Sequence, residues 1–406
     1  MSHTWKLGAV CFMVLILVGT LGPSCGEETQ QEDKVVITVG HLTDFTGPAS
    51  PALIDLGWAL EDLVEYINEE DPIPGVELKV VHYDTRYDPS RDIPGYEWCK
   101  QKGAAVMLTP LPTTGESLKL VAERDKVPVA AISTTSYMID PPGWVFCFHT
   151  PSSWEMTSIL KWVGDEWTQY PTKPKIGAVG WQEPWTTDLI MGLKDYCEAH
   201  PDKFEWIGGL FAPMGVLTWG AEVEKLRNCD YVAIPTTGLG AASFVRQFRE
   251  RGYSATFMNA DGISSFYDLL VDSCGWEDLD GTLNAQAWEW WGTPKPMIQL
   301  LERLLNENRP GDVEDVMARG CGYIGGSEVY LFFQVLRAAI EEAGAENFDG
   351  QAFFDTAIGF RTTWEGYPEM GFGQDRRWAV EYVRIWEWSA SHHDLIAVSD
   401  WLPVIK

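Results

Sequence analysis

The chain has 406 residues, 45% hydrophobic and 22% charged, with 59 acidic against 30 basic residues and a formal charge of −29. That length supports two or three ordinary cores, and the composition is that of a globular protein rather than a disordered or membrane-embedded one. The acidity excludes nucleic acid, which needs a basic stripe to take up phosphate, and excludes broad docking on anionic lipid.

The first 25 residues differ in kind from the rest. Lys6 leads into an apolar run from Leu7 to Leu21, followed by Gly22-Pro23-Ser24-Cys25. A run of that length is short for a membrane span and fits the apolar region of a secretory signal. The small residues before Cys25 resemble a bacterial lipoprotein signal, in which the cysteine is lipidated and becomes the new N-terminus. Gly22 stands where that pattern has Leu, and ordinary cleavage near Ser24, leaving Cys25 a free thiol, is the alternative. Residues 27–34 (EETQQEDK) are polar and featureless, as a tether between anchor and fold should be. The expected organisation is therefore a signal peptide over 1–25 and a tether over 26–34.

From Val35 the chain alternates short apolar strands with amphipathic helices. The strand KVVITVGHL precedes a helix from about Pro51 to Asn68, where Leu53, Leu60, Val64 and Ile67 share one helical face. There follow the strand VELKVVHYD, a helix over Tyr96–Lys102, the strand AAVMLTP, the helix ESLKLVAERD and the strands VPVAAIS and WVFCFHT. A second set then starts over: strand KPKIGAVG, helix TTDLIMGLKDYCEA, strand FEWIGGLF, helix WGAEVEKLRN, strand DYVAIPTT, helix ASFVRQFRERG and strand ATFMNA. Unalternating apolar strands joined by helices predict parallel sheets covered on both faces. Two such sets, meeting near Thr150–Ser153, predict an α/β protein of two similar doubly wound lobes. Helices over about Pro296–Asn306 and Gly326–Ala343 and a late strand in AVEYVRIWEW indicate that the chain revisits both lobes. The expected division is 35–150 with about 288–360 for one lobe, and 151–282 with about 361–406 for the other.

Six cysteines lie in this region, at positions 99, 147, 197, 229, 274 and 321. They show no CxxC or Cys/His spacing, so no metal site is expected. Cys197 and Cys229 each end a predicted helix and form the first candidate disulfide; six buried thiols is the other reading.

The loops between these elements carry a family likeness. VVITVGHLTDFTGPAS resembles the strand-to-helix entry of leucine/isoleucine/valine-type periplasmic binding proteins, which serve ABC importers. INEEDPIPGVELKVVHYDTRYDPS, VPVAAISTTS and WVFCFHTPSS resemble further family segments in the same order. Asp71-Pro72 departs from the family's Gly-Gly, and His149 stands where Arg is common. The resemblance implies a type I periplasmic-binding fold with a ligand cleft between the lobes. It also implies an exported, lipid-anchored receptor that captures a small molecule and hands it to ABC permease subunits, without catalysis and without a cofactor. The expected ligand is an amino acid or a related small carboxylate or amide. The tryptophan content makes an aromatic acid the alternative, and a sensor serving a signalling partner is the rival role.

By the same resemblance, the first lobe holds the ligand's polar head through Thr113 and Thr114, which open a helix, and through Ser133, Thr134 and Thr135. Hydroxyls beside the free N–H groups of a helix start suit an anion without any basic residue, although simple helix capping uses the same residue types. From the second lobe, Trp185 follows a strand where the family has a covering aromatic, Phe211 follows the next strand, and Asp261 stands where a carboxylate meets the ligand's ammonium. Tyr137, Trp181, Trp219 and Trp288 fall at predicted cleft edges. Gly320-Cys321-Gly322-Tyr323-Ile324-Gly325 matches GxGxxG but follows helical residues, the wrong context for a dinucleotide. Gly238-Leu239-Gly240 with Asp261 is better spaced but lacks the third glycine and any catalytic set.

Overall fold

The computed structural model describes residues 34–236 and 238–406. Signal peptide, Cys25 and nearly all of the tether lie outside the described residues. Among these residues no helix is long and apolar enough to cross a membrane.

The first sheet contains β1 (Val35–Thr43), β2 (Val76–Asp84), β3 (Ala104–Thr109), β4 (Val129–Ala131) and β5 (Val145–Cys147), all parallel in the order β2-β1-β3-β4-β5. β1 is buried from Ile37 onward, as a strand covered on both faces must be. Its covering helices are α1 (Ser50–Glu69), α2 (Asp92–Gln101) and α3 (Pro112–Asp125), with the single turn α4 (Ser136–Ile139) before β5. After α5 (Ser152–Glu166) the pattern repeats with β6 (Lys175–Trp181), α6 (Pro184–Ala199), β7 (Glu205–Ala212), α7 (Gly220–Leu226), β8 (Tyr231–Ala233), α8 (Gly238–Glu250), β9 (Thr256–Ala260), α9 (Tyr267–Cys274), α10 (Trp276–Leu279) and β10 (Leu283–Gln286). The parallel part of this second sheet runs β7-β6-β8-β9-β10. Counted within its own set, that is the same order as the first sheet: the second strand outside the first, then third, fourth and fifth. The two lobes therefore share one winding.

The chain then returns to the helices of the first sheet. α11 (Pro296–Asn308) and α13 (Gly326–Ala343) pack on α1, with α12 (Val313–Arg319) between them, and α14 (Gly350–Ala357) reaches β3. A short pair, β11 (Arg361–Thr362) and β12 (Met370–Gly371), precedes the crossing back. Trp378 bridges to Cys147 at the edge of the first sheet, and four residues later β13 (Tyr382–Ser389) joins β10 antiparallel in the second sheet. β14 (Asp394–Ala397) and β15 (Leu402–Pro403) both pair with β13. The crossing at Thr150 lies beside this one: its hydroxyl donates to the carbonyls of Val380 and Tyr382, each at 3.2 Å.

The six cysteines are free thiols, so the candidate Cys197–Cys229 bridge is not formed. Both are buried, and burial pushes each thiol up to about 12, leaving it protonated. Cys229 packs over β6, where its sulfur lies 2.8 Å from the position a Cβ would take on Gly177.

Candidate functional site

In open parallel sheets, the carboxyl ends of the strands where the winding reverses form a natural crevice. Here the two crevices face one cavity of about 120 Å³. Leu111 and Pro112 follow β3, and Ser133 follows β4; Trp185 comes after β6 and Asp261 directly after β9. Leu53 and Leu56 of α1 and Phe266 supply apolar wall.

Local sequence sets this geometry. Pro112 sits in the first turn of α3, where a missing N–H costs nothing, and the amides of that turn have no intrahelical partner. Thr113 Oγ1 beside them is buried without a hydrogen-bond partner. On the opposite wall, Glu183 caps α6 by accepting from the backbone N–H groups of Trp185 at 2.9 Å and Thr186 at 2.5 Å. That cap fixes Trp185, whose indole N–H is buried and unpaired. The hydroxyl of Tyr87, after β2, lies 3.4 Å from Glu183 Oε2, so this contact links loops of the two sheets.

The charged end of the cavity is acidic: Asp261 and Glu328 line it, and among the described residues no basic one does. Behind them lies a buried cluster. His149 Nε2 is 2.9 Å from Asp261 Oδ2 and 3.5 Å from Glu328 Oε1, while His149 Nδ1 is 3.0 Å from Glu155 Oε1 and 2.8 Å from the Thr150 carbonyl. Burial works to lower the imidazole, but Asp261, Glu328 and Glu155 outweigh it and hold His149 well above its ordinary value. Burial, then Asp261, pushes Glu155 up to about 8, and burial likewise raises Glu328. For Asp261, burial is overcome by His149, and its carboxyl lies below the usual range. Each of His149, Asp261 and Glu328 offers a ligand atom within 4.8 Å of the others.

Of the residues singled out from sequence, the cavity wall brings together Ser133, Trp185 and Asp261. Thr113 stands at the α3 start beside it. Thr114 instead donates to Asp92 at 2.8 Å and ties α3 to α2. The Thr134 hydroxyl is 3.0 Å from the Cys147 sulfur, and Thr135 bonds Glu116 at 2.5 Å while capping α4. Tyr137 is exposed outside the cavity, with the Lys119 ammonium over its ring. Trp181 is buried and donates to the Val216 carbonyl at 2.7 Å, Phe211 lies exposed at the end of β7, and Trp219 is core, bonded to Ser243. Trp288 donates to Glu328 Oε1 at 2.9 Å and borders a second cavity of about 20 Å³.

Tyr87, His149, Cys321 and Glu328 were not singled out as site residues. The glycine-rich 320–325 segment is the signal in the sequence that leads to Cys321. A Cβ on Gly322 would stand 2.6 Å from the Ala52 carbonyl, so these glycines let the segment press onto α1 and carry Cys321 into the cavity wall.

A family model described as periplasmic binding protein matches residues 36–392. Among solved structures, a branched-chain amino acid ABC transporter protein from Thermus thermophilus with bound valine superposes with a TM-score of 0.79 at 18% identity, covering 91% of this chain and 97% of its own. A fatty acid ABC transporter substrate-binding protein from Thermomonospora curvata follows at 0.77 and 17%, covering 91% and 93%. A solute binding protein from Rhodopseudomonas palustris BisB5, in complex with 3,4-dihydroxybenzoic acid, gives 0.74 at 14%, covering 92% and 99%. At such identities these likenesses establish the fold. No curated protein matches the chain by sequence.

Proposed function

The chain belongs to the periplasmic binding protein family, and from that premise we propose that it is the extracytoplasmic receptor of an ABC importer, capturing a small organic solute between its lobes. The observation that carries this reading is the cavity itself. It is lined from the carboxyl ends of two like-wound sheets, and its polar groups suit binding. Closure of the lobes is then a population shift, driven by contacts that need both walls at once. Permease subunits are the partners in this reading. Cys25 is the lipid anchor, which labelling with a fatty-acid precursor checks.

The ligand we favour is an amino acid or a related small carboxylate or amide. Its carboxylate or carbonyl meets the free amides at the start of α3, with Thr113 and Ser133 supplying hydroxyls. Its apolar body lies against Leu53, Trp185 and Phe266. Asp261 and Glu328 set the charge at the far end and disfavour a second carboxylate there. An aromatic acid is the second candidate, favoured by Tyr87, Trp185 and Phe266 in the same wall.

A thermal-shift screen over amino acids, amides and aromatic acids tests this. A solute at about a hundred times its Kd should stabilise the fold by about 2.7 kcal/mol, and Trp185→Ala should weaken its binding about tenfold or more. Chemical turnover of a solute, or no stabilisation by any of the three classes, would sink the reading.

A further inference from the structure

The acidic end of the cavity gathers three carboxyl groups around one imidazole. Glu155 and Glu328 are buried and Asp261 is largely so, and His149 is the basic group that meets all three. Arg384 is engaged with Glu289, at 2.9 and 2.8 Å from its two oxygens. Carboxyl groups buried without matching cations either hold their protons or meet a bound cation.

The directions of the atoms say more than the charge. His149 Nδ1 lies 2.8 Å from the Thr150 carbonyl, so Nδ1 carries a hydrogen, and it is Nε2 that presents a lone pair once its proton gives way to another cation. Nε2 is fully buried and, despite its short distances to Asp261 and Glu328, makes no contact of hydrogen-bond geometry. Glu328 Oε2 is likewise buried without a partner. Meanwhile Glu328 Oε1 accepts from the Trp288 indole at 2.9 Å, and the Thr150 carbonyl fixes the imidazole, which is how outer groups hold metal ligands in register.

We propose that His149 Nε2, Asp261 and Glu328 form a binding site for one divalent first-row transition-metal ion. Donors about 2.1 Å from a common ion lie about 3.0 to 3.4 Å apart in octahedral or tetrahedral arrangement. The Nε2 separations of 2.9 and 3.5 Å match that spacing closely. One imidazole with two carboxylates suits Zn²⁺ or Mn²⁺ better than an all-oxygen site would. Asp261 and Glu328 also line the larger cavity, so the ion's remaining coordination positions face the solute. The end of the solute away from the α3 start then meets a Lewis-acidic ion. His149 follows β5 of the first sheet and Asp261 follows β9 of the second, so the ion would also bridge the lobes.

This goes beyond solute capture and does not rest on it. The test is calorimetric titration of the chelator-stripped full chain with Zn²⁺, alongside the visible absorption of added Co²⁺. We expect one equivalent bound, an affinity at least tenfold lower in both Asp261→Asn and Glu328→Gln, and a Co²⁺ spectrum that changes in His149→Gln. Wild-type uptake no tighter than in the two carboxylate variants, with circular dichroism unchanged, overturns the site. So does a purified chain that holds an amine-bearing solute dependent on Glu328 and takes up no metal. Solute binding without Zn²⁺ uptake would remove the metal site and leave the receptor reading; Zn²⁺ uptake without any solute would do the reverse.

Discussion

His41 lies within β1, fully buried, with its Nδ1 2.9 Å from Nδ1 of His82 on β2, its direct partner in the sheet. One hydrogen serves that contact, so two imidazolium rings cannot share it. Burial, then His82, holds His41 well below 6.5; burial also lowers His82, against a pull upward from Glu61 3.6 Å away. A histidine depressed in the folded state takes up its proton more readily when unfolded. Its stabilising contribution is therefore complete above the unfolded value of 6.5 and lost as pH falls below it. Urea midpoints should drop between about pH 7 and about pH 5.5, and His41→Asn should reduce that drop. An equal drop in both proteins would contradict the assignment. Nothing in the local pattern of β1 announces this pair, because it depends on which strand lies alongside.

α1 shows how far periodicity reaches at the scale of an element. Its apolar spacing fixes the buried face, yet that face also buries Asp55 and Asp62. Asp55 receives both arms of Arg319 at 2.8 Å, and Asp62 binds Arg309 at 3.0 Å and the Tyr323 hydroxyl at 2.7 Å. These ties fasten α1 to the 309–323 segment and so position the cavity wall that follows it. Arg319→Met should destabilise the fold by about 3 kcal/mol, because it strands a buried carboxylate. Adding Asp55→Asn should recover much of that loss; a double variant no better than the single would refute the argument. The strands, the helix order and the loops after β3, β4, β6 and β9 were legible in sequence, since each depends on residues a few places apart. Whether an aromatic after a strand turns to the cavity, like Trp185, or into the core, like Trp219, depends on packing partners tens of residues away. His149, Asp261 and Glu328 come from three distant segments, so no spacing could reveal their convergence.

For the whole molecule, polar contacts reach between the lobes near the cavity, among them Tyr87 to Glu183, His149 to Asp261 and Cys321 to Ser264 and Ser265. A solute gripped from both walls should reduce the radius of gyration measured by small-angle X-ray scattering, and a saturating ligand that leaves it unchanged would argue against hinge closure. The two crossings lie side by side, the Thr150 hydroxyl holding its neighbour at Val380 and Tyr382. Because the helices over 296–357 cover the first sheet while β13 completes the second, neither half is one uninterrupted stretch of chain. A single proteolytic nick in the Thr150 crossing would therefore free nothing: the first piece would keep its whole sheet but leave the helices that cover it on the second piece, and no truncation from either end can yield one jaw without tearing the other.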